Sequence, residues 1–342
     1  MVLLLLGYFF QDETGAVAGF CDCGVGWTHK RLGGDMFFAQ SEAWAAVGAR
    51  VMGDMAARFG GQGLLAGDIG LVLVAAGAAG PEGFEHCGKD VVYPCSLVKA
   101  FHLVHALAAL EEGRVAAHGE MDRALRDMIR WSSNTATNYV IDLVTGTTGD
   151  TLLEGAEYLD WASKRERLNR FFWRLGWPEW EGANIAQKLM DDTRYGREAR
   201  FAGDGGAHLN KLSPLGAARL MWELFEGEVP LSRPVRARAQ AMLRRDPAGA
   251  DAENPAYQLA EYLGGALPAD AEIWSKAGHN LWTGDSATSW FKHDMIRMAG
   301  PGRRPLIVVL TTKGEAIAGR SPEIFPGIGR MIWDATADLC HV

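Results

Sequence analysis

Ser96 and Lys99 stand three residues apart in Tyr93-Pro-Cys-Ser-Leu-Val-Lys-Ala-Phe101. In a helix that spacing puts both side chains on one face, so the amine can reach the hydroxyl; in a strand they point to opposite faces. Pro94 just upstream and the apolar helical run beyond Lys99 place Ser96 at a helix N-terminus. There the helix dipole and free N–H groups favour negative charge developing beside the serine. A lysine buried in such a site can lose its proton near neutral pH and act as the base for a nucleophilic serine. Taken alone the pair is weak, because two common residues at a fixed spacing arise about once in a chain of this length. Ser289-Trp-Phe-Lys292 is a second match, in a predicted strand where the two side chains diverge. A capping serine with a solvated lysine is the simpler account of either pair by itself.

Two further patches carry polar chemistry. Trp131-Ser-Ser-Asn-Thr-Ala-Thr-Asn138 interrupts apolar helical stretches with small polar residues, which mark a helix junction, a cap or a polar cluster facing a cleft. Trp274-Ser-Lys-Ala-Gly-His-Asn280 sets a lysine, a small residue and a glycine on a predicted strand. A substrate could lie close against such a strand and offer its carbonyl oxygen to backbone N–H groups. An edge-strand lysine near a turn explains that patch equally well when it is read alone.

The elements that must position these patches follow from periodicity. Ser41 reads as the N-cap of a helix from Ala43 to Phe59, Asp68 to Ala76 as a strand, and Gly77 to Gly88 as a turn region. Apolar residues recur at helical spacing from Leu97 to Leu110, Met121 to Val144, Leu152 to Leu175 and Pro214 to Phe225. Strand patterns return at Glu272 to Ser275, Trp290 to Met298 and Leu306 to Thr311, before a last helix around Ile324 to Leu339. The organisation expected is an α/β region built from residues 41–93 and 265–342, with an all-helical region, 94–264, packed beside it. The natural site is the cleft between them. Residues 1–40 form an N-terminal extension without a functional signal.

Composition bounds the partners. The 342 residues, 48% apolar and 22% charged, have the profile of a globular chain with a sizeable core. A formal charge of −8 argues against nucleic acid or an acidic membrane surface, leaving a small-molecule substrate. The five cysteines lack the spacing of a disulfide framework, so reduced thiols in a cytoplasm are expected. Cys21-Asp-Cys23 followed by His29 has no second pair at zinc-site spacing, so neither a metal nor a cofactor is expected. The apolar stretch Met1 to Phe10 is too short to span a bilayer and reads as a buried strand or as a contact surface for self-association.

Together and in this order, the three patches resemble the motifs of the class A β-lactamase and penicillin-binding-protein superfamily of serine hydrolases. Ser96-x-x-Lys99 matches the first motif, Ser132-Ser133-Asn134 the Ser-x-Asn motif, and Lys276-Ala277-Gly278 the Lys-Ser/Thr-Gly motif. Leu212-Ser-Pro-Leu-Gly-Ala-Ala-Arg-Leu-Met221 is similar to the helix after the family's omega loop, and Leu306-Ile-Val-Val-Leu-Thr-Thr312 to its last strand. The resemblance covers residues 41–339 and implies an α+β, DD-peptidase-like fold: an antiparallel sheet flanked by helices, plus an all-helical region with an omega-like loop at 177–210. It also implies roles. Ser96 attacks a carbonyl, Lys99 takes its proton, Ser132 relays a proton to the leaving group, and Lys276 keeps that corner electropositive. The backbone N–H groups of Ser96 and His279 form the oxyanion hole, while Asn134, Ala277 and Gly278 contact the substrate.

Departures from the family pattern narrow the expectation. Ala277 stands where lactam-hydrolysing relatives carry a hydroxyl for the substrate carboxylate, Ser133 replaces an aspartate, and the connection after the first motif's helix is short. No omega-loop glutamate is assignable: Glu166-Arg-Leu-Asn169 is out of register, and Glu179, Glu181, Asp191, Asp192 and Glu198 offer no clear choice. Lys99 is then expected to serve both half-reactions. Arg194, Tyr195 and Arg197 of the loop are candidates for substrate contact. The reading is a hydrolase of a small amide, cyclic (lactam) amides included. An esterase, a true β-lactamase, or a sensor acylated once without turnover are its alternatives.

Overall fold

Residues 69–76 read Ile-Gly-Leu-Val-Leu-Val-Ala-Ala, apolar at odd and even positions alike, as a strand is when both faces of its sheet are covered. The computed structural model describes residues 36–189, 194–320 and 322–341, and sets this run, β1 (Ile69–Ala76), inside a six-stranded antiparallel sheet. Its neighbours come from both ends of the chain. On one side lies β2 (Pro81–His86); on the other, β6 (Arg303–Lys313), β5 (Phe291–Gly300), β4 (Glu272–Asn280) and the short edge β3 (Arg244–Arg245) follow in that order. The register separates the faces. Val72 pairs with Val309 and both join the core shared with the helical region, whereas the Leu71–Leu310 and Leu73–Val308 pairs join the core on the opposite face.

That opposite face is covered by α1 (Glu42–Phe59) and α11 (Ile324–Ala335), with α10 (Glu315–Arg320) against β5 and β6. Ser41 caps α1 by accepting from Trp44 N at 3.3 Å. On the first face α8 (Pro214–Phe225) packs on β1, β5 and β6. Beside it stands α2 (Val98–Glu111), in contact with α3 (Gly119–Arg130), α4 (Asn134–Thr145), α6 (Arg167–Trp173) and α9 (Arg233–Leu243). Every residue of α2 from Val98 to Ala109 is buried, which is why its sequence lacks a polar stripe. α5 (Gly155–Arg165) and α7 (Gly196–Ala202) complete the helical set.

The structure corrects the sequence expectation in five places. The presumed turn region 77–88 contains β2, an edge strand that tolerates Pro81 at its first position. The presumed all-helical stretch 94–264 contributes β3, which pairs Arg244 with Trp274. The helical run from Met121 to Val144 breaks at Trp131 to Ser133, and the one from Leu152 to Leu175 breaks at Glu166. The strand expected at Glu272 to Ser275 runs on to Asn280, so Lys276, Ala277 and Gly278 all sit within it. Met1 to Phe10, Cys21, Cys23 and His29 lie outside the described residues, as do Asp191 and Asp192. Among the described residues no helix is long and apolar enough to cross a membrane.

Candidate active site

Ser96 sits in a single 3-10 turn, Cys95–Leu97, that runs directly into α2 at Val98. Cys95 holds φ at +49°, a left-handed conformation that a side chain adopts at a cost of roughly 1–2 kcal/mol. One turn along, Lys99 is fully buried. Its Nζ donates to the Ser132 carbonyl, to Asn134 Oδ1 at 2.7 Å and to Ser132 Oγ at 3.2 Å. The first and second motifs are therefore joined through the lysine.

Ser132 is presented by the break between α3 and α4. Ser133 caps α4, its Oγ accepting from Ala136 N at 3.1 Å, and Ser133 N donates back to Asp127 O at 3.2 Å. Those two bonds squeeze Ser132 into φ +54°, again left-handed. Strain of this kind persists where surrounding contacts over-determine it. Here the contacts are two amines. Lys276 Nζ also donates to Ser132 Oγ, at 2.9 Å, and further to Gln258 Oε1 and to Ala277 O at 2.6 Å.

Lys276 is buried beside a second and a third cation. Burial first, then the nearby charges of Lys99 and Arg245, hold its pKa well below the usual lysine value. Arg245, on β3, is buried too; it donates to Ile129 O at 3.0 Å and to Ser275 O at 3.2 Å, tying the end of α3 to β4. The balancing carboxylate is Asp294, opposite Ala277 on β5. Its Oδ2 accepts from Leu263 N at 3.0 Å, and burial raises its pKa to about 7 in spite of the neighbouring cations.

A cavity of about 260 Å³ opens on these groups. Ser96, Ser132, Asn134, Gln258, His279 and Asn280 supply its polar lining, and Tyr93, Cys95, Leu189, Pro255 and Tyr262 the remainder. Gly278 brings β4 against the nucleophile's turn: a Cβ there would come within 2.7 Å of Ser96 N and 3.0 Å of Pro94 O. Ala277 is different. Its fully buried methyl belongs to the apolar cluster on the far face of the sheet and is not among the residues that line the cavity. His279 lines the cavity while its Nε2–H donates to Ala318 O at 2.8 Å.

The loop at 177–210 contributes a residue the sequence did not single out. Asn138, one turn into α4, clamps Leu189 by both backbone groups, donating to Leu189 O at 2.7 Å and accepting from Leu189 N at 3.1 Å. This fixes an apolar side chain in the cavity wall. Arg197, expected at the substrate, instead donates to Thr148 O, Thr151 O and Thr151 Oγ1, and the exposed Tyr195 reaches Asp150 at 3.4 Å. Both brace the 148–151 segment. Arg194 pairs with Asp285 at 3.9 Å. Glu198 is buried against Arg165 at 2.7 Å, and Glu166 accepts from Asn169 at 2.8 Å; neither lines the cavity. The other Ser-x-x-Lys pair also splits, but not within one strand as expected: Ser289 bonds Asp285 O in the loop before β5, while Lys292 is in β5 and buried over the Tyr262 ring.

Gln258 and Tyr262 also escaped the sequence reading. Gln258 is in the left-handed region at φ +57° within an irregular segment, so no periodicity marks it.

A family model described as the beta-lactamase enzyme family matches residues 120–336, taking in Ser132, Asn134 and Lys276 and leaving Ser96 and Lys99 before its start. None of the curated proteins compared matches the chain. Among solved structures it is similar to PBP-A, at 20% identity over 84% of this chain and 96% of that one, with a TM-score of 0.58. It is also similar to a class A beta-lactamase from Mycobacterium abscessus, at 15% identity over 83% and 98% of the two chains, TM-score 0.55. A reconstructed class A beta-lactamase of the last common ancestor of Gram-negative bacteria gives 17% identity, 83% and 98% coverage, and 0.54. At these identities the likeness speaks for the fold, a class A beta-lactamase-like α+β architecture. With the family model covering well over half of its length, the chain belongs to the beta-lactamase enzyme family.

Proposed function

We propose that this protein is a serine hydrolase that cleaves a small amide bond through an acyl intermediate on Ser96. The observation that carries the reading is the sharing of Ser132 Oγ between two buried amines, Lys99 Nζ and Lys276 Nζ, in the wall of the cavity that Ser96 also lines. Two amines so close and so desolvated favour a neutral state for one of them. A neutral Lys99 keeps two N–H donors for Ser132 O and Asn134 Oδ1 and turns its lone pair to the reacting hydroxyls.

Ser96 Oγ then attacks the carbonyl carbon as its proton passes to Lys99, and the backbone N–H groups of Ser96 and His279 receive the oxyanion. Ser132 delivers a proton to the departing nitrogen and is resupplied from Lys99, with Lys276 holding it in place. In the second half-reaction the same Lys99–Ser132 pair activates water. Esters and lactams present the same carbonyl chemistry. The unpaired thiols of Cys87, Cys95 and Cys340 suit a cytoplasmic setting.

A second reading is favoured by one feature. The apolar Leu189 occupies the clamped loop position in the cavity wall, where it cannot activate water, so on this second reading the acyl group is held rather than released, as a sensor would hold it. A fluorescent acylating probe followed over time decides. Continuous product release supports the enzyme, a stable one-to-one adduct supports the sensor, and labelling that persists undiminished in Ser96→Ala rejects Ser96 as the nucleophile.

A further inference from the structure

We propose that Asp142 is a positioning residue for release of the acyl group: by gripping Lys188 it sets where the Leu189 part of the cavity wall stands. This rests on the acyl intermediate at Ser96 and concerns the second half-reaction, in which water must reach that intermediate.

One face of α4 carries Asn134, Asn138 and Asp142 at successive spacings of four, so the three side chains form a rail along the helix. Each holds a different part of the site. Asn134 Oδ1 accepts from Lys99 Nζ at 2.7 Å, Asn138 clamps both backbone groups of Leu189, and Asp142 Oδ2 accepts from Lys188 Nζ at 2.8 Å. The preceding residue, Gln187, shares three hydrogen bonds with Asn210. Residues 187–189 are therefore held one by one, and of the three only Leu189 lines the cavity. Among these ties the one between Lys188 and Asp142 is ionic.

Lys188 is buried and has a second carboxylate within reach. Arg165, fully buried at the end of α5, donates through both Nη atoms to Glu198 of α7 at 2.9 and 2.7 Å. It lies 3.9 Å from Asp142, and Lys188 lies 3.8 Å from Glu198. Asp142 and Arg165 stand on the scaffold helices, Lys188 and Glu198 on the loop at 177–210. Arg165 satisfies Glu198 with two charge-assisted bonds, so Lys188 belongs to Asp142 while that carboxylate is charged. Burial pushes the Asp142 carboxyl up from its ordinary value, and the bond from Lys188, then the charges of Lys188 and Arg165, draw it back. With Asp142 neutral, the buried ammonium turns to Glu198, because a buried charge left unpaired is strongly unfavourable. That turn pulls the neighbouring Leu189 from the Asn138 clamp toward α7 and opens the wall to water. Formation of the acyl bond, which depends on Lys99 and Ser132 at the other end of the rail, changes less.

The test forms a phenylacetyl adduct from p-nitrophenyl phenylacetate on the full chain, maps it, and follows its loss by intact mass. Hydrogen exchange of peptides covering 184–190 is read separately, without any acylating reagent. In Asp142→Asn, release should speed roughly three- to thirtyfold, the range for a residue coupled to a site through packed neighbours, with a smaller change in acylation and faster exchange at 184–190. Asp142→Glu, which keeps the charge, should stay near wild type in both readouts. Asp142→Asn/Lys188→Met, which leaves neither member of this pair charged, should release as fast as the single variant and carries the test if that one does not fold. Unchanged or slower release in Asp142→Asn, whatever its exchange, or equally fast release in Asp142→Glu, overturns the inference, while an adduct on Ser96 keeps the catalytic reading. Absence of any adduct on Ser96 in the wild type overturns the catalytic reading, and the role in acyl release with it.

Discussion

Lys276 Nζ lies 2.9 Å from Ser132 Oγ, linking β4 to the break between α3 and α4. If that hydroxyl carries protons between Lys99 and the leaving group, Ser132→Ala slows acylation of Ser96 on the order of 10²- to 10⁴-fold, the usual range for removing a general acid–base group. Stopped-flow labelling measures it. An unchanged rate would leave Ser132 as a mere structural link.

Leu189 is held in the wall by the two backbone bonds from Asn138, so a carboxylate placed there would be aimed by the same clamp. Leu189→Glu is predicted to speed release of the acyl group by roughly tenfold or more, as a general base positioned on water does. Leu189→Gln should not. The decay of a preformed acyl-enzyme, read by intact mass, compares them; equal decay in both variants would show that water is not reached from this position.

Gly278 leaves no room for a side chain beside Ser96 N. In Gly278→Ala the strand or the turn must shift by some tenths of an ångström, moving the Ser96 N–H that is proposed to receive the oxyanion. A loss of about 10²- to 10³-fold in kcat is expected, the cost of one misplaced oxyanion donor. Titration with a slow acylating probe should still reach one equivalent per chain.

His102 and His105 continue the stripe of Ser96 and Lys99 along α2, and neither ring nitrogen of His102 has a hydrogen-bond partner. Burial lowers both histidines to about 3, and lowers His293 to about 4. The sign follows from linkage. An unfolded histidine binds its proton near pH 6.5 while the folded one refuses it, so stability is lost as pH falls from about 6.5 toward 3. His102→Leu removes one such group and one unmet polar ring, so its urea midpoint should match or exceed wild type at pH 7 and fall less by pH 5. A variant equally acid-sensitive would show that His102 is not buried uncharged.

The groups proposed to react stand out in the sequence because the proposed chemistry constrains their spacing. Ser96 and Lys99 need one helical turn, Ser132 and Asn134 need a helix start, and Lys276 with Gly278 needs a strand that can approach closely. The order of these patches pointed to the fold as well. What stayed hidden was set by tertiary contacts. β2 was obscured by Pro81 and Gly83, which an edge strand tolerates although strands in general avoid them. Leu189 is placed by its two backbone bonds with Asn138 and the Gln258 side chain by its bond from Lys276, both in irregular segments, and nothing in their neighbours' types announces it. Ala277 was expected at the substrate from its place in the motif, whereas its methyl is buried in the apolar cluster of the far face. Arg197 and Tyr195 illustrate the converse: polar residues in a loop near a site are as readily used to brace the loop.

Ser96 is the group on which the proposed chemistry depends most directly. After incubation with a small acylating fluorophosphonate, intact-protein mass spectrometry with peptide mapping should find one adduct per chain on Ser96, none on Ser96→Ala, and much slower labelling of Lys99→Ala. An adduct elsewhere, or equal labelling of wild type and Ser96→Ala, would contradict it.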